Sequence, residues 1–169
     1  GPIALVEVQG YVFAAMRGMS RVALAVGEEE TSKQWLWRSE RIAEAVERHF
    51  WMESGFYGIA VDGENALCAI RASNPGHLLY MGLPKHARAQ AVSTQLMSQD
   101  FFSGWGIRTL AVGEARYNPM SYHNGSVWPH DSALCAAGLA RYGQREASVR
   151  LLRAAFEAAV RFDMRLPGL

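Results

Sequence analysis

The chain has 169 residues, of which 50% are hydrophobic and 20% charged, and its formal net charge is +1 at pH 7. This length suits one domain with a sizeable core, and the near-neutral charge gives no electrostatic footprint for a nucleic acid or an anionic membrane surface. No apolar run is long enough to span a bilayer, and the first residues lack the pattern of a secretion signal. We therefore expect one cytoplasmic domain over residues 1–169, with Cys68 and Cys135 as buried free thiols.

The first third of the chain predicts two helices of different character. Residues 4–26 are apolar on most sides, which is typical of a helix that is buried on more than one face. Residues 31–50 carry one apolar stripe opposite charged side chains, as a surface helix does, and Thr31 or Ser32 is the candidate N-cap. Together the two helices predict a helical hairpin.

The middle of the chain predicts shorter elements. Residues 57–61 and 66–70 flank an Asp-Gly turn and could form a short β-hairpin. A short apolar segment, residues 77–83, follows a turn, and residues 85–98 are again amphipathic.

The end of the chain repeats the alternation. Residues 132–142 are apolar nearly all round, and residues 146–162 form an amphipathic helix whose predicted inner face carries Val149, Leu152, Phe156 and Ala159. A buried helix is thus followed by a surface helix three times. We expect an all-α fold of three αα-hairpins, arranged as half of a double-walled helical ring with long functional loops at one rim.

The loop over residues 117–131 is the most informative part of the sequence. It concentrates Tyr, Asn, His, Trp and Asp side chains and leads directly into an apolar helix, which is a common construction for a binding or catalytic site. Aromatic faces stack on sugar rings, while amide, imidazole and carboxylate groups bond sugar hydroxyls. Ligand contact is the favoured interpretation of Tyr122, His123 and Asn124, because polar groups in such a loop need partners.

Other candidate residues have structural alternatives. Trp105 lies between two glycines and suits a stacking platform, whereas Trp128 could instead be a core wedge. Helix capping explains Asn74 without any ligand, and for Asp131 it stands level with ligand contact. Arg108 either bonds substrate or ties down its loop, and His77 remains open. The candidate substrate-binding residues are Asn74, His77, Trp105, Arg108, Tyr117, Tyr122, His123, Asn124, Trp128, His130 and Asp131.

Glu7 is the candidate catalytic carboxylate. It lies in the first turn of the first helix, where a carboxylate also compensates the helix dipole, and Gln9 beside it favours a role as a sugar-hydroxyl acceptor. The histidines lack the spacing of a metal site, and no Gly-rich phosphate loop is present, so we predict neither a metal nor a cofactor.

Four segments carry a family resemblance: residues 7–11, 73–79, 102–110 and 117–131. Their motifs resemble those of bacterial amylo-α-1,6-glucosidase-like proteins, relatives of glycogen debranching enzymes in the six-hairpin glycosidase superfamily. The resemblance implies half of an (α/α)6 toroid that takes α-linked gluco-oligosaccharides. It also implies inverting hydrolysis by two carboxylic acids about 6.5–9.5 Å apart.

The chain departs from that family in two ways. It matches only the C-terminal half of the family's catalytic domain, and it has Gly168 where the family tends to place a glutamate, the expected base. Half a ring leaves an apolar flank uncovered, so we expect a homo-oligomer or a complementary half-barrel as partner. The alternative function is a non-catalytic oligosaccharide-binding or assembly protein built from a half-barrel.

Overall fold

A computed structural model describes residues 1–166. The helices of this part are α1 (Val6–Ala25), α2 (Glu29–His49), α3 (Pro75–Met81), α4 (His86–Leu96), α5 (Pro129–Arg141) and α6 (Arg145–Arg161). The strands are β1 (Ile3–Leu5), β2 (Trp51–Met52), β3 (Phe56–Tyr57), β4 (Ala60–Asp62) and β5 (Leu67–Cys68). Among the described residues no helix is both long and apolar enough to cross a membrane.

The helices form three hairpins, as the alternation of buried and surface helices predicts. In the first hairpin α1 packs on α2, in the second α3 packs on α4, and in the third α5 packs on α6. The short helix α3 also packs on α1 and on α5, so α1, α3 and α5 form an inner row with α3 at its centre. The three inner helices begin at Val6, Pro75 and Pro129, and the residues around these starts line one shared cavity.

Strands β1, β4 and β5 form a small antiparallel sheet with β4 at its centre. Strand β4 pairs with β5, as the predicted hairpin requires, although the paired segments are shorter than residues 57–61 and 66–70. Strand β1 pairs with the other edge of β4 with Ala4 opposite Val61, so the first helix begins at Val6 rather than at residue 4. In the turn, Asp62 Oδ1 accepts hydrogen bonds from the backbone N–H groups of Glu64 and Ala66.

The core lies between the inner helices, the outer helices and the two small sheets. Its fully buried large side chains include Phe56, Tyr57, Leu78, Leu79, Phe101, Ile107 and Leu139. Helix α1 buries only one face in this core, contrary to the prediction of several buried faces. Side chains on its other faces, such as Val22 at 56% exposure, have no helix of the described chain packed over them.

Helix α6 turns a different face to the core than its pattern predicts. Its buried residues are Ser148, Leu151, Ala154 and Ala159, and only Ala159 belongs to the predicted inner face. Val149, Leu152 and Phe156 are exposed, with Phe156 at 60%. Ser148 faces inward because its hydroxyl donates to the carbonyl of Ala136 on α5. The apolar stripe of α6 therefore faces away from α5.

Two further local predictions are wrong, and one lies outside the described residues. Helix α2 begins at Glu29, so neither Thr31 nor Ser32 is its N-cap, and the Ser32 hydroxyl is instead buried 2.9 Å from the Ser20 hydroxyl. Both cysteines are free, but Cys68 on the edge strand β5 is exposed, and Cys135 alone is buried. Gly168 falls beyond residue 166, outside the described residues.

Candidate functional site

A cavity of about 760 Å³ opens where the inner helices begin. Helix α1 contributes Glu7, α3 contributes His77, and α5 contributes His130 and Asp131. Its wall is Leu5, Glu7, Ile59, Ile70, Ala72, Ser73, Asn74, His77, Thr109, Leu110, Glu114, Ala115, Arg116, His123, Asn124, Trp128, His130 and Asp131. Eight of the residues proposed from the sequence are thus brought together at one surface.

One hydrogen-bonded chain joins the three inner helices. The Tyr11 hydroxyl lies 2.5 Å from His77 Nδ1, and His77 Nε2 lies 2.6 Å from Asp131 Oδ1. His77 and Asp131 are 13% and 8% exposed at their side chains, so the bond between them is largely shielded from water, whereas the Tyr11 end of the chain is exposed. The candidate capping role of Asp131 is wrong, because its carboxylate bonds His77 and makes no cap bond at the start of α5.

Two residues of the cavity wall each keep one carboxylate oxygen that has no partner in the described part of the chain. Glu7 Oε2 and Asp131 Oδ2 are each buried, and neither has a hydrogen-bond partner among residues 1–166. We call these atoms the two open oxygens. Buried polar atoms in native proteins are nearly always satisfied, so each of these oxygens is a place for a ligand donor or a water molecule. Both residues occupy the first turn of a helix, where the positive end of the helix dipole stabilises a carboxylate.

An aromatic cluster closes one side of the cavity. The ring of Trp128 lies 5.0 Å from that of His130, 5.8 Å from that of His123 and 4.5 Å from that of Tyr122. Trp128 Nε1 donates to the Tyr122 carbonyl and to Ser126 Oγ, which fixes the indole plane. Trp128 is therefore a half-buried wall residue and not a core wedge. Tyr122 is exposed and supports the cluster from outside the cavity wall.

Three of the proposed residues lie in a second cavity. Trp105, Arg108 and Tyr117 line a hollow of about 600 Å³ against α6, apart from the wall that holds Glu7 and Asp131. Arg108 Nη1 donates to the carbonyls of Gln99 and Phe101, so the guanidinium ties down its loop. The Arg161 guanidinium lies over the Trp105 ring at 5.8 Å. The proposed stacking platform is thus not brought into the first cavity.

Asn74 lines the cavity, and Tyr11, which the sequence analysis did not single out, bonds a residue of its wall. Asn74 occupies the cap position of α3 without a side-chain cap bond within residues 1–166, and it lines the cavity. Tyr11 was not a candidate, although it stands four residues after Glu7 and so shares a helix face with it. Burial, followed by the nearby Glu7 and Asp131 carboxylates, raises the pKa of Tyr11.

Across residues 1–166 no three His, Cys, Asp or Glu side chains are grouped to hold a metal ion.

Comparisons with known proteins agree with this architecture. A mannosylglycerate hydrolase of family GH63 from Thermus thermophilus, solved with glucose, superimposes with a TM-score of 0.77 at 22% identity over 94% of this chain. The neutral trehalase Nth1 of Saccharomyces cerevisiae gives 0.78 at 15% identity over 96% of the chain. A sialidase gives 0.81 at 15% identity over 92% of the chain. No curated protein sequence matches the chain.

These similarities define the class of protein. The fold is part of an (α/α)6 toroid of the six-hairpin glycosidase superfamily, as the sequence predicts. The chain belongs to the mannosylglycerate hydrolase MGH1-like glycoside hydrolase domain family, whose model matches residues 2–163. It spans only 40% of the Thermus enzyme, 33% of the trehalase and 16% of the sialidase. The narrower amylo-α-1,6-glucosidase resemblance stays a prediction.

Proposed function

We propose that the chain forms one wall of the sugar pocket in a glycoside hydrolase that cleaves α-linked gluco-oligosaccharides, as glycogen debranching enzymes do. The observation that carries the proposal is that Glu7, Asp131 and Trp128 line a single cavity, and that the two carboxylates each keep a buried oxygen without a partner among residues 1–166. A saccharide supplies both the hydroxyl donors that such oxygens need and the C–H surface that an indole face prefers.

The dimensions and chemistry of the cavity suit a small saccharide. Ligand pockets commonly measure about 300–1,000 Å³, and this cavity of about 760 Å³ lies within that range. The relatives also carry names of small glycosides: a mannosylglycerate hydrolase that was solved with glucose, and a trehalase. Asn124, His123 and His130 add neutral hydrogen-bonding groups around the indole.

Hydrolysis would divide the chemistry between two carboxyl groups. A protonated acid gives its proton to the leaving oxygen, and a carboxylate activates water on the opposite face of the sugar. Glu7 is the carboxylate that this chain contributes, because it lines the cavity and holds an open oxygen. The second group would come from the part of the toroid that these residues do not form.

Titration calorimetry with isomaltose, maltotriose and trehalose tests the proposal. We expect wild-type chain to bind at least one of these sugars, and Glu7→Gln to weaken that binding about tenfold or more, as loss of a hydrogen bond to a charged group does. Glu40→Gln is the matched control, because Glu40 is exposed on α2. Failure of all three sugars to bind, or equal affinity in the Glu7 variant, would contradict the proposal.

Product analysis separates hydrolysis from binding alone. The alternative function, a non-catalytic oligosaccharide-binding or assembly protein, predicts saturable binding with no released glucose. When the rest of the toroid is supplied, a catalytic pocket predicts glucose release that is abolished by Glu7→Gln and retained by Glu40→Gln. Anomeric analysis of the product by NMR then reports inversion or retention, which the spacing of the two carboxyl groups determines.

A further inference from the structure

Tyr11, His77 and Asp131 form a hydrogen-bonded chain that is built from three separate helices. Tyr11 stands on α1, His77 on α3 and Asp131 on α5, and 66 and 54 residues separate the bonded pairs. The two bonds measure 2.5 and 2.6 Å, and both run through one imidazole ring. A chain of this kind holds its last member in a defined orientation, because each bond restricts the rotation of the next side chain.

The order of the atoms decides which way each bond runs. An ionised carboxylate only accepts, so His77 Nε2–H donates to Asp131 Oδ1. When the ring carries this one proton, Nδ1 accepts a hydrogen bond from the Tyr11 hydroxyl. Burial raises the pKa of Tyr11, with Glu7 and Asp131 adding to the effect, so this hydroxyl keeps its proton. For a neutral His77, these two partners favour the Nε2–H tautomer.

Asp131, the last residue of this hydrogen-bonded series, has a second carboxylate oxygen without a partner among residues 1–166. Oδ1 of Asp131 is occupied by His77, whereas Oδ2 is buried without a partner among residues 1–166, in a residue that lines the cavity. Asp131 is only 6% exposed, so its second oxygen is withheld from bulk water and still needs a donor. A carboxylate that is held by a neighbour, lines a cavity and keeps one oxygen without a partner is a pre-organised acceptor for a hydroxyl group.

We propose that Tyr11 and His77 are positioning residues that orient Asp131, and that Asp131 Oδ2 accepts a hydrogen bond from a hydroxyl of the bound saccharide. The saccharide part rests on the proposed function, whereas the orientation of Asp131 by Tyr11 and His77 does not. Glu7 and Asp131 then have separate roles: Glu7 is the catalytic carboxylate that this chain contributes, and Asp131 recognises a sugar hydroxyl.

The tautomer of His77 is tested without any sugar. Long-range 1H–15N NMR of uniformly 15N-labelled protein distinguishes a protonated from an unprotonated ring nitrogen, and loss of a signal in His77→Gln assigns it among the five histidines. We expect wild-type His77 to carry its proton on Nε2. Tyr11→Phe should shift both nitrogen signals toward a mixture of forms, because Nδ1 loses its donor. Tyr142→Phe removes a hydroxyl that donates to the Pro84 carbonyl at the other end of α5, and it should leave them unchanged.

Sugar binding tests the acceptor role of Asp131. We expect saturating isomaltose to shift the His77 Nε2 signal, because a hydroxyl on Oδ2 draws charge from the carboxylate that holds this N–H. Tyr11→Phe should weaken isomaltose binding about three- to tenfold, and Asp131→Asn about ten- to a hundredfold. His77→Gln should retain more affinity than His77→Ala, since the glutamine amide can both accept and donate. Equal thermal melting of the variants would exclude simple misfolding.

The outcomes separate the two proposals. A wild-type Nδ1–H tautomer, or nitrogen signals that Tyr11→Phe leaves unmoved, would overturn the positioning role whatever happens with sugars. Isomaltose binding that is unaffected by Asp131→Asn would overturn the acceptor role while leaving the proposed function intact. If no saccharide binds, the proposed function and the acceptor role fail together, and the tautomer measurement still decides the positioning role.

Discussion

Gly138 of α5 lies directly against the backbone of Tyr80 in α3. A Cβ atom placed on Gly138 would fall 2.7 Å from Tyr80 N and 3.0 Å from the carbonyl oxygen of Gly76. These are backbone atoms and cannot yield as a flexible side chain would. The absence of a side chain at this position thus allows α3 and α5 to pack closely, and this packing holds His77 beside Asp131.

Substitution of this glycine should separate the two helices. We expect Gly138→Ala to lower the free energy of unfolding by about 1–3 kcal/mol, the usual cost of overpacking. Gly18→Ala is the matched control in α1, where no atom of the described chain lies within 4 Å of the added Cβ. Because alanine is the better helix former, this control should gain about 0.5–1 kcal/mol. Urea unfolding of both variants makes the comparison, and equal changes would contradict it.

The two cysteines should differ sharply in reactivity. Cys68 is exposed, whereas Cys135 is fully buried, and burial followed by the nearby Asp131 carboxylate raises the pKa of its thiol. Since the thiolate is the reactive form, we expect iodoacetamide at pH 8 to modify Cys68 alone in the folded protein. Mass spectrometry of peptides measures the labelling, and Cys68→Ser should abolish it until urea is added. Native labelling of both thiols at one rate would argue against the described packing.

Tyr142 should contribute stability that disappears at alkaline pH. Its hydroxyl donates to the Pro84 carbonyl at 2.6 Å, and burial raises its pKa to about 12. The folded state therefore favours the protonated phenol, so its contribution is present below the unfolded pKa of about 10 and is lost as pH rises through 12.

Tyr142→Phe isolates this contribution. We expect the substitution to cost about 1 kcal/mol at pH 8, the usual net value of one hydrogen bond, and the gap between the two proteins to narrow at pH 11. Urea unfolding at both pH values measures it, with Tyr80→Phe as the exposed control. A gap that is constant between pH 8 and pH 11 would show that ionisation of Tyr142 is not linked to folding.

The exposed apolar stripe of α6 should drive association. Leu152 and Phe156 are 52% and 60% exposed on the face that points away from α5, and such a contiguous patch usually marks an interface. We expect the chain to self-associate at micromolar concentration, and Phe156→Ser to shift it toward the monomer. Glu157→Ser is the neighbouring control with the same new side chain. Light scattering measures both, and a monomeric wild-type protein would count against this interface.

Local pattern in the sequence accounts for much of the fold. The alternation of apolar and amphipathic segments predicts the three helical hairpins because burial imposes its own period on each helix. The concentration of polar and aromatic residues over 117–131 predicts the loop beside the cavity, and His123, Asn124 and Trp128 do line it. The spacing of Glu7 and Tyr11 also indicates one helix face, since residues four apart lie on the same side.

Contacts between distant segments depend on the tertiary structure. No local sequence pattern predicts the hydrogen bond between His77 and Asp131, which are 54 residues apart. The two side chains meet only when α3 packs on α5. The same holds for Trp105, which lies against α6 in the second cavity and not beside Trp128. The pattern of α6 likewise identifies an apolar stripe but not its partner, since hydrophobic burial is non-directional and any apolar surface can cover it.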